Sequence, residues 1–356
     1  MTDRSVLDAW MIGLIMRHPA TLRLNHKDER QRRRAVRKLF EVDDSNNLDS
    51  FVPLLEDSDQ WYREKAMEAI IKWAGIDDSE IVNRLSNSNY VEQRVLASKV
   101  SLRLGQEKIA IIEKLCNDEE ISVRISGWEA KFEFNGDKIG DLVLEGMNSR
   151  DKIIRKIAIN KLSEVDEIDP GIIIKALNDK SYSVRNAALE IIRKDSKLSK
   201  MDAFDTYLLR ISTENTIKEI SSVIKILAKK SLYDLEMKGK VLSWSESESV
   251  EITDSLISTL REIKWWQIKD LKEHMYEKSS DIFVTRLLRG NKESVATEIR
   301  IKILSDSKRS ESMRARLIED LVGRPVDEET LEIIKKISES ENLVLSTVAK
   351  EFLIEY

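Results

Sequence analysis

The sequence has little of several residues whose abundance defines a protein class. It has one cysteine, Cys116, in 356 residues, which excludes an intramolecular disulfide and a zinc site built from cysteines. Its 4 prolines and 11 glycines are too few for a collagen-like or Pro/Gly-rich disordered chain. It has no apolar run of the roughly 20 residues that a membrane span needs. We therefore expect a folded, cytoplasmic protein that does not enter a membrane.

Signals of catalysis are few as well. The three histidines, His18, His26 and His274, include no two at the helical spacing of a metal site. No P-loop and no glycine-rich dinucleotide motif occurs. We interpret Trp128 and the Trp265-Trp266 pair as packing residues, with one of the pair left partly exposed. The sequence thus predicts a protein that is not an enzyme, without catalytic residues, metal ligands or cofactors.

What the sequence does contain is a repeat. Six arginines are separated by 31, 31, 30, 31 and 30 residues: Arg32, Arg63, Arg94, Arg124, Arg155 and Arg185. A small residue follows three positions later each time, where two helix backbones must approach closely: Ala35, Ala66, Ala97, Gly127, Ala158 and Ala188. A large apolar residue precedes each arginine from Arg63 on by eight or nine positions, as in Leu54, Leu55, Leu85, Leu115, Met147 and Leu177. A fixed period of this length indicates an array of one repeated supersecondary unit.

Each unit reads as helix, turn, helix. Apolar residues recur at helical spacing, for example at Ile111, Ile112 and Leu115. Polar turns rich in Asx and Ser follow, and these residues suit a helix stop and a new N-cap. Asp169-Pro170 supplies an N-cap and a first-turn proline, which predicts a helix start.

With this period and pattern the chain resembles the HEAT-repeat family, in particular its short, phycobilisome-lyase-like form, over residues 26–195. The resemblance implies an all-α fold, an α-solenoid (superhelix) of stacked antiparallel helix pairs. It also implies a ladder of aspartates and arginines six positions apart, which here pairs Asp57 with Arg63, Asp118 with Arg124, and Asp179 with Arg185. His26, Ser88 and Ser149 stand at the aspartate position of the other units, so we expect the ladder to be incomplete.

Three parts are expected along the chain. Residues 1–25 are predicted to hold an N-terminal capping helix, residues 26–200 the regular repeats, and residues 201–356 irregular HEAT-like repeats that continue the solenoid. The Ser243–Ser249 stretch is either a longer turn inside the array or a linker.

A basic stripe is the main candidate for binding. Between Leu22 and Phe40 there are eight basic residues against two acidic ones. On a helix, Ala35, Val36, Leu39 and Phe40 would face inward and leave the basic side chains outward, able to contact phosphates or an acidic protein surface. The alternative is an ordinary solvated face. The stripe comprises Arg30, Arg33, Arg34, Arg37 and Lys38.

The rest of the surface does not extend this stripe. Outward rows of the second helices mix both signs, and the whole chain carries 59 basic against 64 acidic residues, so its formal net charge is −5. We therefore predict a non-enzymatic scaffold or adaptor that binds a protein partner along its curved surface. The alternative is a nucleic-acid-associated protein that contacts phosphates through the basic N-terminal helix.

Overall fold

The computed structural model describes residues 18–214 and 216–356, and within them the backbone forms helices and turns without a strand. The helices stack as antiparallel pairs, so the fold is all-α and an α-solenoid, as predicted. The capping helix predicted for residues 1–25 lies mostly outside the described residues. The chain divides into two compact units, one ending at Val165 and the other spanning Asp166–Tyr356.

In the described part of the first unit a 3₁₀-helix at Pro19–Arg23 comes first. Two more, at Ser45–Ser50 and Val52–Glu56, take the place of a first α-helix in the next repeat. Pro53 in the first turn of the last one fits this departure, since proline is tolerated only at the start of a helix. The α-helices of this unit are α1 Glu29–Val42, α2 Gln60–Trp73, α3 Ser79–Ser86, α4 Val91–Ser101, α5 Lys108–Cys116, α6 Ile121–Phe134, α7 Ile139–Gly146 and α8 Lys152–Lys161.

The second unit continues the alternation of first and second helices. Its first helix begins where the sequence predicts, because Asp169 accepts a hydrogen bond from the Gly171 N–H and Pro170 occupies the first turn. The α-helices are α9 Pro170–Leu177, α10 Tyr182–Lys194, α11 Asp205–Glu214, α12 Ile217–Lys230, α13 Leu235–Ser245, α14 Val250–Leu260, α15 Leu271–Glu277, α16 Asp281–Leu288, α17 Ser294–Ser305, α18 Glu311–Glu319, α19 Glu328–Ser338 and α20 Leu343–Glu355.

The Ser243–Ser249 stretch is a turn inside the second unit rather than a linker. It covers the end of α13 and the short connection to α14, where Ser249 caps α14 through the Ile252 N–H. The Ser245 and Ser279 hydroxyls are 2.8 Å apart, and the Ser280 hydroxyl donates to the Ser247 carbonyl at 3.0 Å. These bonds fix the turn against the loop before α16.

The core of each unit lies where the repeated positions predict it. All six small residues are buried, and a Cβ added to Gly127 would lie 2.8 Å from the Cys116 amide nitrogen. Helices α5 and α6 therefore approach so closely at this point that no side chain fits between them. The large apolar residues of the first helices are buried as well, namely Leu54, Leu55, Leu85, Leu115, Met147 and Leu177.

Candidate protein-binding surface

The basic stripe lies on α1, and its five residues do not share one environment. The guanidinium of Arg33 is 2.6 Å from the Glu29 carboxylate and lies over the Trp61 ring, 5.1 Å from its centroid. Lys38 is 3.2 Å from the Glu41 carboxylate. Both side chains thus have intramolecular partners.

Arg30, Arg34 and Arg37 are the accessible part of the stripe. All three are exposed, and their guanidinium groups make no hydrogen bond or ion pair with any residue of the described ranges. Arg34 and Arg37 line a cleft of about 510 Å³ between α1 and the segment His18–Arg23, together with Arg23 and Lys38. Since no described residue occupies their donors, these guanidinium groups present them to a ligand.

A second surface feature, a groove, lies between the neighbouring second helices α2 and α4. It has a volume of about 360 Å³ and is lined by two stripes with spacing i, i+3, i+4 and i+7. Met67 and Ile71 come from α2, Val95 and Leu96 from α4, and Ile71 keeps 48% of its surface exposed. The remaining lining residues are Glu64, Glu68, Glu92 and Lys99.

The groove has an acidic end. The Glu64 carboxylate accepts one hydrogen bond, from the Gln60 amide at 2.7 Å, and Glu68 is held by Lys65 at 2.6 Å. The carboxylate of Glu92 has no hydrogen-bond or ion-pair partner in the described part of the chain. Lys99 lies near the C-terminal end of α4, so the acids concentrate towards the other end of the groove.

A ladder of arginines holds these second helices in register, but its partners differ from the predicted pairs. Each ladder arginine donates to main-chain carbonyls of the turn in its own repeat, as Arg63 does to Asp57 at 2.8 Å and Arg124 does to Asp118 at 2.7 Å. Arg185 likewise donates to the Asp179 carbonyl at 2.9 Å. The aspartate contributes its carbonyl to this contact, because its carboxylate has other partners. The Asp118 carboxylate accepts hydrogen bonds from the Glu120 N–H of the same turn and from Arg94 of the preceding repeat.

The carboxylate on each observed rung comes from the following repeat. Arg94 binds Asp118 at 2.8 Å, and Arg124 binds Asp151 at 2.7 Å, two positions beyond the serine that replaces the expected aspartate. Arg32 binds the Asp57 carboxylate in the same way. Asp151 thus supplies, from the same turn, the carboxylate that Ser149 lacks.

Arg63 shows where the ladder lacks a carboxylate. The repeat that follows has Ser88 at the aspartate position, and Arg63 instead lies over the Tyr90 ring, 4.5 Å from its centroid. Its Nε is buried without a hydrogen-bond partner. This rung lies directly between α2 and α4, the two helices that form the groove.

A further rung lies in the second unit. Arg185 binds Glu219 at 2.7 Å, and Glu219 is fully buried within α12 rather than placed in the preceding turn. The Thr216 hydroxyl also lies 3.3 Å from this carboxylate. The sequence pattern did not identify Glu219, because this carboxylate lies within a helix, whereas the pattern places the acidic partner in a turn.

Candidate catalytic groups have structural partners. His18 and His26 accept hydrogen bonds from the Ala20 and Asp28 N–H groups, and burial raises the pKa of Cys116 to about 12. Trp265 is buried and Trp266 partly exposed, as predicted for the pair.

Over residues 18–214 and 216–356, no cluster of three or more His, Cys, Asp or Glu residues is arranged to hold a metal. No helix in the described part of the chain is both long and apolar enough to span a bilayer.

Comparisons with known proteins leave the chain without an assigned family. No family model and no curated protein matches the sequence. Among solved structures, Escherichia coli YibA has 14% identity and a TM-score of 0.44, over 76% of this chain and 97% of that one. An engineered protein has 15% identity and a TM-score of 0.38, over 94% and 97%. A microtubule polymerase with a TOG-domain array has 12% identity and a TM-score of 0.33, over 94% and 99%.

Proposed function

We propose that the protein is a non-enzymatic scaffold or adaptor that holds a protein partner on the exposed face of α1, α2 and α4. The observation that carries the proposal is the apolar groove between α2 and α4. The helix α1, which carries the exposed Arg30, Arg34 and Arg37, is the second helix of the repeat before α2. A face with apolar and charged regions side by side suits a protein surface, since apolar contact gives affinity and complementary charge gives specificity.

Affinity capture from the native cell tests this function. The tagged protein is used as bait in parallel with a variant that carries Arg30→Glu, Arg34→Glu, Glu64→Lys and Glu92→Lys, which leaves the net charge unchanged. We expect a partner that survives nuclease treatment and is lost with the variant. A partner retained equally by both baits would place the binding surface elsewhere.

Nucleic-acid binding is the second candidate, and the unpaired guanidinium groups of Arg30, Arg34 and Arg37 favour it. If each contacts a phosphate of duplex DNA, the negative slope of log K against log salt should become less steep by about 2.7 when all three are replaced by glutamate. Arg33 stays unchanged in this variant because it pairs with Glu29 inside the protein. The measurement is fluorescence polarisation with labelled duplex and single-stranded probes over a salt series.

Two outcomes decide against this candidate. Wild-type protein that does not bind either probe at physiological salt leaves the stripe as a solvated face. Binding that persists with the same salt slope in the variant locates the phosphate contacts on other residues.

A further inference from the structure

The groove between α2 and α4 has the chemistry to select one kind of peptide. Its floor is apolar, formed by Met67, Val95 and Leu96, and Ile71 remains half-exposed at one end. Water covers this apolar surface in the free protein, and its removal by an apolar side chain is favourable. The groove is therefore a place where anchoring residues of a partner gain free energy.

The spacing of the apolar residues in the groove determines the spacing of the apolar anchor residues that a partner would need. Met67 and Ile71 are four residues apart on α2, which corresponds to about 6 Å along the helix axis. Two apolar side chains one turn apart on a partner helix have the same separation. An amphipathic helix with anchors at i and i+4 thus matches the apolar floor.

The charges of the lining determine which flanking residues are accepted. Glu64, Glu68 and Glu92 contribute three negative charges and Lys99 one positive charge, so the lining has a net charge of −2. Because the Glu92 carboxylate has no partner among the described residues, and Glu64 has only a neutral one, both remain available to a cation. A polyanion or an acidic helix would be repelled from the same rim.

We propose that this groove binds an amphipathic helical segment of a partner protein, with two apolar anchors one turn apart and lysine or arginine beside them. The inference rests on the proposed scaffold function and specifies the partner segment that it recognises. The basic flank lies over Glu64 and Glu92, and the second anchor lies against Ile71.

The test measures binding of fluorescein-labelled helical peptides of about 14 residues, enough for three to four turns. The first peptide carries leucines at i and i+4 flanked by lysines. In the second the leucines are replaced by serines, and in the third the lysines are replaced by glutamates. Fluorescence polarisation with the full chain should show binding of the first peptide at least about tenfold tighter than of either control.

Two variants locate the site. Glu64→Lys, Glu68→Lys and Glu92→Lys combined should weaken the first peptide by about tenfold or more, since the attractions of Glu64 and Glu92 become repulsions and Glu68→Lys adds a further positive charge. The matched control combines Glu332→Lys, Glu339→Lys and Glu351→Lys, which changes the net charge equally at exposed positions of the second unit. It should leave binding unchanged. Circular dichroism of both variants checks that each is folded.

Several results would overturn the inference. Equal binding of the leucine and serine peptides would leave only charge attraction, without a groove. Equal loss in both variants would show a general effect of net charge, and unchanged binding in the groove variant would place the peptide elsewhere. If no peptide binds the wild type but a cellular partner is captured independently of Glu64 and Glu92, the scaffold function stands and this inference fails.

Discussion

The rung between Arg94 and Asp118 provides the most direct test of how the repeats are held together. Arg94 donates to the Asp118 carboxylate through Nε at 2.8 Å and through Nη2 at 3.1 Å, and to the Ser88 carbonyl at 2.9 Å. Both side chains are only 9% exposed. Arg94→Met keeps most of the aliphatic stem and removes all three bonds, so it isolates the polar contribution.

We expect Arg94→Met to lower the free energy of unfolding by about 3 kcal/mol. Hydrogen bonds to charged groups contribute about 1.5–3 kcal/mol, and removal of one partner of a buried ion pair costs about 3–5 kcal/mol. Because both side chains keep 9% of their surface exposed, we expect a cost at the lower end of the range of about 3–5 kcal/mol. Asp118→Ala should cost a similar amount, and the double variant less than the sum, with a coupling of about 2 kcal/mol.

Urea denaturation followed by circular dichroism measures the effect, with hydrogen exchange over α4 to α6 to localise it, because repeat arrays can lose two-state behaviour. The control is the pair Arg84 and Glu56, at 2.6 Å but with 44% and 69% of the side chains exposed. Its removal should cost no more than about 1 kcal/mol. Additive effects of Arg94→Met and Asp118→Ala would refute the reasoning, since two residues that stabilise one another cannot act independently.

The same rung predicts a dependence on pH. Burial acts to raise the pKa of Asp118, but the hydrogen bonds from Arg94 and from the Glu120 N–H outweigh it, and the pKa is lowered. A carboxyl whose pKa is lower in the folded state stabilises the fold fully above its unfolded value of about 3.9. The stabilisation is lost as the pH falls through the folded value. The difference between wild type and Asp118→Ala should therefore shrink below about pH 4, and a constant difference would exclude this linkage.

Three further outcomes are expected. Gly127→Ala should destabilise the protein by about 1–3 kcal/mol, because its Cβ meets backbone atoms at 2.8 Å, whereas Gly140→Ala, with nothing within 4 Å, should be neutral or slightly stabilising in thermal melts. Ser88→Asp should add a carboxylate for Arg63 and stabilise by about 1 kcal/mol; an unchanged urea midpoint would show that the Tyr90 contact already satisfies the arginine. Cys116, with its pKa raised to about 12, should resist a thiol reagent at pH 8 until urea unfolds α5.

The period of the arginines determined the fold class and the repeat of residues 26–195 from sequence alone. A basic residue every 30 or 31 positions, followed by a small residue three positions later, is enough to place helix pairs, turns and close helix contacts. These features are local or recur at a nearly constant spacing, so the sequence alone reveals them. The burial of Ala66, Ala97 and Gly127 follows from that pattern.

The partners of the ladder and the shape of the surface were decided only in three dimensions. Residues six apart suggested Asp118 with Arg124, but the side chain of Asp118 binds Arg94, because stacking brings the turn of one repeat against the helix of the preceding one. The groove of α2 and α4 could not be predicted from the sequence, because it too depends on how neighbouring repeats stack. Its two stripes each mix apolar and acidic residues, and they form one surface only when neighbouring helices pack side by side. Sequence period specifies what repeats, whereas contacts between repeats depend on how the helices stack.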